Sequence, residues 1–414
     1  SPLTGAIACS NSGGYFPAEL RFAGFNGIVF EGRAKEPVCL WIKDGKAELK
    51  AAKDLWGKTT DETEQMIRAQ IRDPWEAMET RIACIGPAGE RMARLACVIN
   101  DKHRAAGRSG VGAVMGSKNL KAVVVKGTGG IQTADFDTFK KGVRVAMEKL
   151  AGGPVTSEGL PAYGTAILVN IINECGILPT KNFQENMYAE AEKISGETIA
   201  ETIMTRNKGC FACAIGCARM TVIDDPKYGG HGEGPEYETL VCLGPLCGVN
   251  DLNAIAKAHN ICDEMGMDGI SLGVTIACAI ELNEKGKIPK EKLDGLSLKF
   301  GNPQCVVELA FRTAYKIGFG EDISLGSKKL AEKYGAPEVA MQVKGLEIPA
   351  YDPRGAQGHA LGYATSNRGA CHLRAYMISP EVLGIPKLLD RLKHEGKAEW
   401  VIKLQNMFAV IDSM

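Results

Sequence analysis

Short β-branched runs alternate with polar residues early in the chain, and apolar positions recur at three- and four-residue steps later, so the pattern predicts strands first and helices after. Gly27 to Glu31, Val38 to Lys43 and Ala122 to Val125 have strand character, and Asp44-Gly45 is the turn dipeptide of a hairpin. One helix interrupts them, from Glu62 to Ile71, with Thr60 and Asp61 as its cap and Met66 and Ile67 on its apolar side. Beyond the Gly127-Thr128-Gly129-Gly130 linker, Phe136 to Leu150, Ala166 to Asn173, Ala254 to Met265 and Leu272 to Lys285 carry the helical period. The pattern breaks into glycine-rich loop around Ile348-Pro349-Ala350-Tyr351-Asp352-Pro353 and turns helical again near Glu381 and Glu399. The expected class is α+β: a partial β-rich domain over residues 1–130, a helical domain over 131–341, and the start of a second helical domain over 342–414.

Composition narrows the partners. The chain has 414 residues, 45% of them apolar, enough to bury cores in two or three domains. Lys+Arg and Asp+Glu balance at 49 each, so no overall field draws it to nucleic acid. The longest apolar runs, such as Gly273 to Ile280, fall short of the roughly 20 residues a spanning helix needs, and no membrane partner is expected. The 14 cysteines lack the spacing of a small disulfide-bonded domain and point to a reduced cytoplasm in which thiols pack or bind metal.

The densest chemistry is Cys210-Phe211-Ala212-Cys213-Ala214-Ile215-Gly216-Cys217. Cys-x2-Cys-x3-Cys on one tight turn followed by a helical start lets three sulfurs converge on three corners of an iron–sulfur cubane, with Gly216 allowing close backbone approach. Structural zinc is the rival, although it normally takes a second close pair of ligands that the chain does not offer, and three unligated core thiols are the bland reading. A second stretch, His103 to Lys121, mixes glycines with Arg104, Arg108, Lys118 and Lys121, a recipe for gripping phosphate. It is no Walker A loop, because Asn119 follows Lys118, and it is a poor dinucleotide fingerprint, because Gly110-x-Gly112-x-x-x-Gly116 leads into a strand. A glycine-rich turn with solvated charges is the alternative.

Six ordered segments resemble the tungsten-dependent aldehyde:ferredoxin oxidoreductase family: Ala8 to Phe16, Arg104 to Lys121, Lys208 to Cys217, Glu233 to Glu238, Asp263 to Asp268, and Tyr351 to Gly355 with Asn367 to His372. The resemblance implies a β-rich base carrying two pterin dithiolenes that hold tungsten (or molybdenum), with helical domains closing over them. It implies that Asn11, Gly13, Arg104, Ala105, Gly107 and Arg108 cradle the pterin phosphates, with Mg2+ bridging them through main-chain oxygens at Asn11 and Ala105. Asp263 and Asp268 match a pterin-binding motif, Arg374 stands where a basic residue reaches the cofactor, and Asp412 opens a second such motif. Cys210, Cys213 and Cys217 become ligands of a [4Fe-4S] cluster, with ferredoxin as electron acceptor and a small aldehyde as substrate. Without the resemblance, Asp263 and Asp268 are simply polar residues flanking a helix end at Gly266. Tyr163-Gly164-Thr165 and Asn182-Phe183 also match family segments and receive no chemical role.

Converting an aldehyde and water into an acid requires groups that take up protons, and Glu238 and His372 are the candidates. Glu238 ends a run with Glu233 and Glu236, where like charges should raise at least one pKa, and His372 is placed to hydrogen-bond the carbonyl or the metal oxo group. A solvated glutamate and a structural histidine are the dull readings. Cys242, Cys247 and Cys371 are expected to pack. Both ends read as cut: the chain opens without Met, closes on an apparently buried helical segment at Val410 to Met414, and lacks the fourth cluster cysteine, expected three residues past Met414. The competing readings are an iron–sulfur or zinc-stabilised electron-transfer subunit and an inactive fragment, and a homo-oligomer is compatible with either outcome.

Overall fold

The computed structural model describes residues 1–412. Its α+β architecture begins with a mixed six-stranded sheet of β1 (Val38–Lys43), β2 (Lys46–Ala51), β3 (Arg81–Cys84), β4 (Val98–Asn100), β5 (Arg104–Ala106) and β6 (Leu120–Lys126), in the order β2-β1-β6-β3-β4-β5. β1 and β6 run parallel and the other neighbours antiparallel. Period-two alternation splits these strands between two small cores. Cys39, Ala122 and Val124 join Leu55, Ile67 and Ile82 on one face, while Leu40, Ile42, Val123 and Val125 join Ala23 on the other.

The hairpin turns at Asp44 and Gly45, both at positive φ, as its sequence requires. The expected helix runs Thr60–Ala69, capped one residue earlier than read, by a Thr59–Glu62 capping box. Gly27 to Glu31 is not a strand. No strand among the described residues pairs with it, and it lies as loop with Val29 85% exposed and Ile28 and Phe30 packed on the sheet's second face. A seven-residue helix, Val111–Ser117, also intervenes between Gly110 and β6. A Cβ on Gly112 would stand 2.3 Å from the Cys97 carbonyl oxygen, so this glycine serves close packing rather than phosphate binding.

The helical part is built on Gly269–Glu284, whose Leu272, Val274, Ile276 and Cys278 are fully buried. Being apolar all round, it sits inside and is surrounded by Tyr237–Leu243, Pro303–Tyr315 and Ser327–Lys333. A three-stranded antiparallel sheet of β7 (Met204–Lys208), β8 (Ala218–Ile223) and β9 (Gly230–Glu233) flanks this core. The cysteine segment is the loop between β7 and β8, so no helix starts after it. The last helix, Lys397–Asp412, leaves Val410 63% and Ile411 48% exposed, correcting the expectation of a buried end; Ser413 and Met414 lie outside the described residues. Among the described residues no helix is long and apolar enough to cross a membrane.

Candidate active site

The turn between β4 and β5 passes through Asp101 and Lys102 at positive φ and delivers His103, Arg104 and Ala105 to the mouth of a cavity of about 260 Å³. The segment before it is pinned alongside: Asn100 Nδ2 donates to the Gly13 carbonyl (2.9 Å), and the Tyr15 amide donates to Asp101 Oδ2 (2.6 Å). Asn11, Gly13, Gly107 and Arg108 complete that side. The opposite wall is the joint between Leu252–Met265 and Gly269–Glu284, where Gly266 at φ 71° ends one helix and Asp268 caps the next, accepting from the Ile270 (3.2 Å) and Ser271 (3.3 Å) amides. The cavity therefore unites Asn11, Gly13, Arg104, Ala105, Gly107, Arg108, Asp263, Asp268 and His372.

Charge is paired throughout this wall. Arg104 pairs with Glu233, and Arg108 Nε lies 3.2 Å from Asp268 Oδ2 while its Nη2 donates to the Glu347 carbonyl (2.6 Å). Arg108 Nε and Nη1 are buried without a hydrogen-bond partner, so the guanidinium keeps donors for an anion. Burial raises the Asp263 carboxyl to about 6, against the pull of His259 and Arg104, and His103 Nδ1 (3.3 Å) and His259 Nε2 (3.6 Å) both approach its Oδ2.

Arg374 and Asp412 line a second cavity of about 400 Å³, which shares Asn11 with the first. Arg374 Nη1 donates to Asp412 Oδ2 (2.9 Å), its Nη2 lies 2.8 Å from Cys9 Sγ, and its Nε is buried without a partner.

Glu238 stands apart from Glu233 and Glu236. Its Oε2 accepts from the Ala350 amide (2.7 Å), and its Oε1 is buried, without a hydrogen-bond partner and 3.9 Å from His372 Nδ1, which is likewise unpartnered. Burial pushes its carboxyl up to about 8, against the Ala350 amide and Arg108, with Asp268 adding to the rise. The direction matches the sequence reading but the cause differs, because desolvation and not crowding by Glu233 and Glu236 dominates. Burial, reinforced by Arg108, Arg368 and His359, holds His372 well below the usual histidine range and therefore neutral.

Cys210 and Cys217 are half-buried and Cys213 is exposed; all three thiols are free. They are electrostatic neighbours: burial raises Cys217, Glu236 adds to the rise against Arg104, and Cys210 and Cys213 add further to it. A Cβ on Gly13 would lie 3.1 Å from Cys210 Sγ, which places the loop beside the first cavity. Among the described residues no three His, Cys, Asp or Glu side chains are gathered into a set able to hold a metal ion, so the loop supplies soft donors of the right chemistry without a preformed cage. Cys242, Cys247 and Cys371 are buried, and Cys371 Sγ lies 2.6 Å from Arg368 Nη2.

Sequence reasoning passed over His259, Arg368 and Thr239, which also line the first cavity. His259 had a readable signal, since it precedes Asp263 by one helical turn. Arg368 lay within the matched Asn367 to His372 segment without a role, and Thr239 had no signal, because tertiary folding alone brings it there.

Fold and site define an α+β protein with twin cation-lined clefts beside a buried carboxyl–imidazole pair, an arrangement that suits a large anionic ligand next to proton-handling groups. The chain belongs to the aldehyde ferredoxin oxidoreductase family: residues 1–127 match that family's N-terminal domain and residues 141–414 its domains 2 and 3. It is 50% identical to the tungsten-containing aldehyde ferredoxin oxidoreductase of Pyrococcus furiosus and 48% identical to that of Thermococcus kodakarensis, covering 100% of this chain and 67% of each relative. A solved structure of the active site complex BamBC of benzoyl coenzyme A reductase has the same fold at 22% identity, with a TM-score of 0.74 over 91% of this chain and 58% of that one.

Proposed function

We propose that the complete protein oxidises aldehydes to carboxylic acids at a tungsten or molybdenum centre held by two pterin dithiolenes, and passes the electrons through a [4Fe-4S] cluster to ferredoxin. The observation that carries this reading is the pair of cavities meeting at Asn11, each lined by an arginine with at least one buried N–H lacking a hydrogen-bond partner and by at least one carboxylate. Two phosphate-bearing pterins need such paired recognition.

In this reading Arg104, Gly107 and Arg108, with Asn11 and Gly13, hold phosphates, and the main-chain oxygens of Asn11 and Ala105 take Mg2+. Asp263 and Asp268 accept N–H groups from one pterin ring, and Arg374 and Asp412 face the other. Cys210, Cys213 and Cys217 contribute thiolates to the cluster. When bound, the metal supplies Lewis acidity and a two-electron acceptor.

The chain's own residues handle the protons. Aldehyde and water give acid, two electrons and two protons. Glu238, with Oε1 free and Oε2 fixed by Ala350, keeps its proton near neutrality and becomes a base as pH passes about 8. Neutral His372 can orient the aldehyde oxygen through one ring nitrogen. In this reading a boundary at 130 would separate the pterin base from the helical domains and one at 341 would divide those two domains, and the reduced thiols fit a cytoplasmic enzyme. Full-length protein purified anaerobically should contain tungsten or molybdenum, pterin and iron, and should reduce ferredoxin on addition of aldehyde. Iron or zinc without pterin would leave an electron-transfer subunit in its place.

A further inference from the structure

Arg219 follows Cys217 by two residues at the start of β8, and its side chain is fully buried. Nη1 donates to the Cys217 carbonyl (3.1 Å) and Nη2 to the Pro235 carbonyl (2.8 Å), so one guanidinium ties the last cysteine of the loop to the segment that leads into Glu238. Its nearest carboxylate oxygen is Glu236 Oε1, at 3.8 Å. Arg219 Nε and Glu236 Oε1 are both buried without hydrogen-bond partners, so the ion pair is loose and the two charges face each other without a direct bond.

The socket for this side chain is the Tyr163-Gly164-Thr165 segment. Gly164 holds φ 57°, and a Cβ there would fall 1.1 Å from Arg219 Nη1, so the position admits neither a side chain nor an ordinary backbone. Next to it, the Thr165 hydroxyl donates to Glu236 Oε2 and accepts from the Tyr237 amide (2.9 Å). The segment thus grips both members of the pair at once.

We propose that Arg219 is a positioning residue of the cysteine loop, fixing Cys217 through its carbonyl and, with Glu236 as counter-charge, setting the reduction potential of the iron–sulfur cluster carried there. The inference rests on the cluster reading given above. Reduction adds negative charge to a cluster, and a cation nearby favours it while a carboxylate nearby opposes it. The two residues therefore pull in opposite directions. A guanidinium that only satisfied carbonyls would give no such pair of opposite effects.

The test is an EPR-monitored redox titration of full-length holoenzyme beside Arg219→Met, Arg219→Lys and Glu236→Gln, with iron and acid-labile sulfide measured on each. Arg219→Met should lower the midpoint potential and Glu236→Gln should raise it, each by roughly tenfold in the reduced-to-oxidised ratio, about 59 mV for a one-electron couple. Arg219→Lys should recover most of the loss. If Arg219→Met fails to fold, the half-exposed Glu236 still carries the test: an upward shift in Glu236→Gln supports the inference and an unchanged potential overturns it. Midpoints that match the parent, or that move the same way in both variants, overturn it while leaving the cluster reading intact. A parent protein with no iron or sulfide refutes the cluster reading itself, and the inference falls with it.

Discussion

The first cavity and the Glu238–His372 corner adjoin one another but handle charge in opposite ways. Along the cavity the acids have cations or imidazoles near them: Asp268 meets Arg108, Asp263 meets His103 and His259, and Glu236 stands 3.8 Å from Arg219. In the corner Glu238 has a single amide donor and a neutral imidazole 3.9 Å away. The arginines of this wall keep their charge and can hold an anion in place, although Asp263, raised to about 6 by burial, titrates just below neutrality. An unpaired carboxyl under the same burial keeps its proton until the pH nears 8, which is what a group that exchanges protons needs.

Breaking the unpaired side should cost most in rate. Glu238→Gln is expected to lower aldehyde oxidation by about 100- to 10,000-fold while pterin and iron contents stay at parental levels, as read by steady-state kinetics and cofactor analysis. Breaking the paired side should cost stability and cofactor instead. Arg108→Met strands Asp268 in the interior, with an expected loss of about 3–5 kcal/mol in denaturant unfolding and a fall in bound pterin. His372→Gln, which keeps one donor but shifts its position, should reduce kcat by roughly 100-fold with little change in pterin content.

A pH profile sharpens the contrast without any substitution beyond a control. Because the raised carboxyl of Glu238 is protonated below about 8 and acts as base only when ionised, kcat should rise with pH, by roughly fivefold between pH 7 and pH 8, and the rise should vanish in Glu238→Gln. The smallest effect belongs to a helix cap one residue before Thr60, whose hydroxyl donates to the Asp263 carbonyl (2.9 Å). Thr59→Ala removes the capping box of Thr60–Ala69 and should cost about 1 kcal/mol in thermal unfolding with kcat unchanged.

Local signals were legible in the residues and long-range ones were not. Asp44-Gly45, the helices Leu252–Met265 and Gly269–Glu284, and β6 follow from turn chemistry and periodicity, which depend on near neighbours. Gly27 to Glu31 has strand-like composition, yet a strand exists only where another edge offers hydrogen bonds, and that depends on the whole fold. The cysteine spacing marked a loop of shared chemistry but not that the loop joins two strands. Asp263 and Asp268 were visible as a spaced pair; that Gly266 makes them the end of one helix and the cap of the next explains why the spacing works. Arg219 left no trace in sequence, because its role comes from Gly164, which is distant along the chain.

The proposed function requires above all a heavy metal where the two cavities meet, on the side lined by His372. Anomalous diffraction from crystals of the full-length holoenzyme, recorded across the tungsten and molybdenum edges, tests it directly. One strong peak is expected beside Asn11, between the Asp263 and Arg374 sides. A fully occupied metal elsewhere, or no heavy-metal peak in active protein, would contradict it.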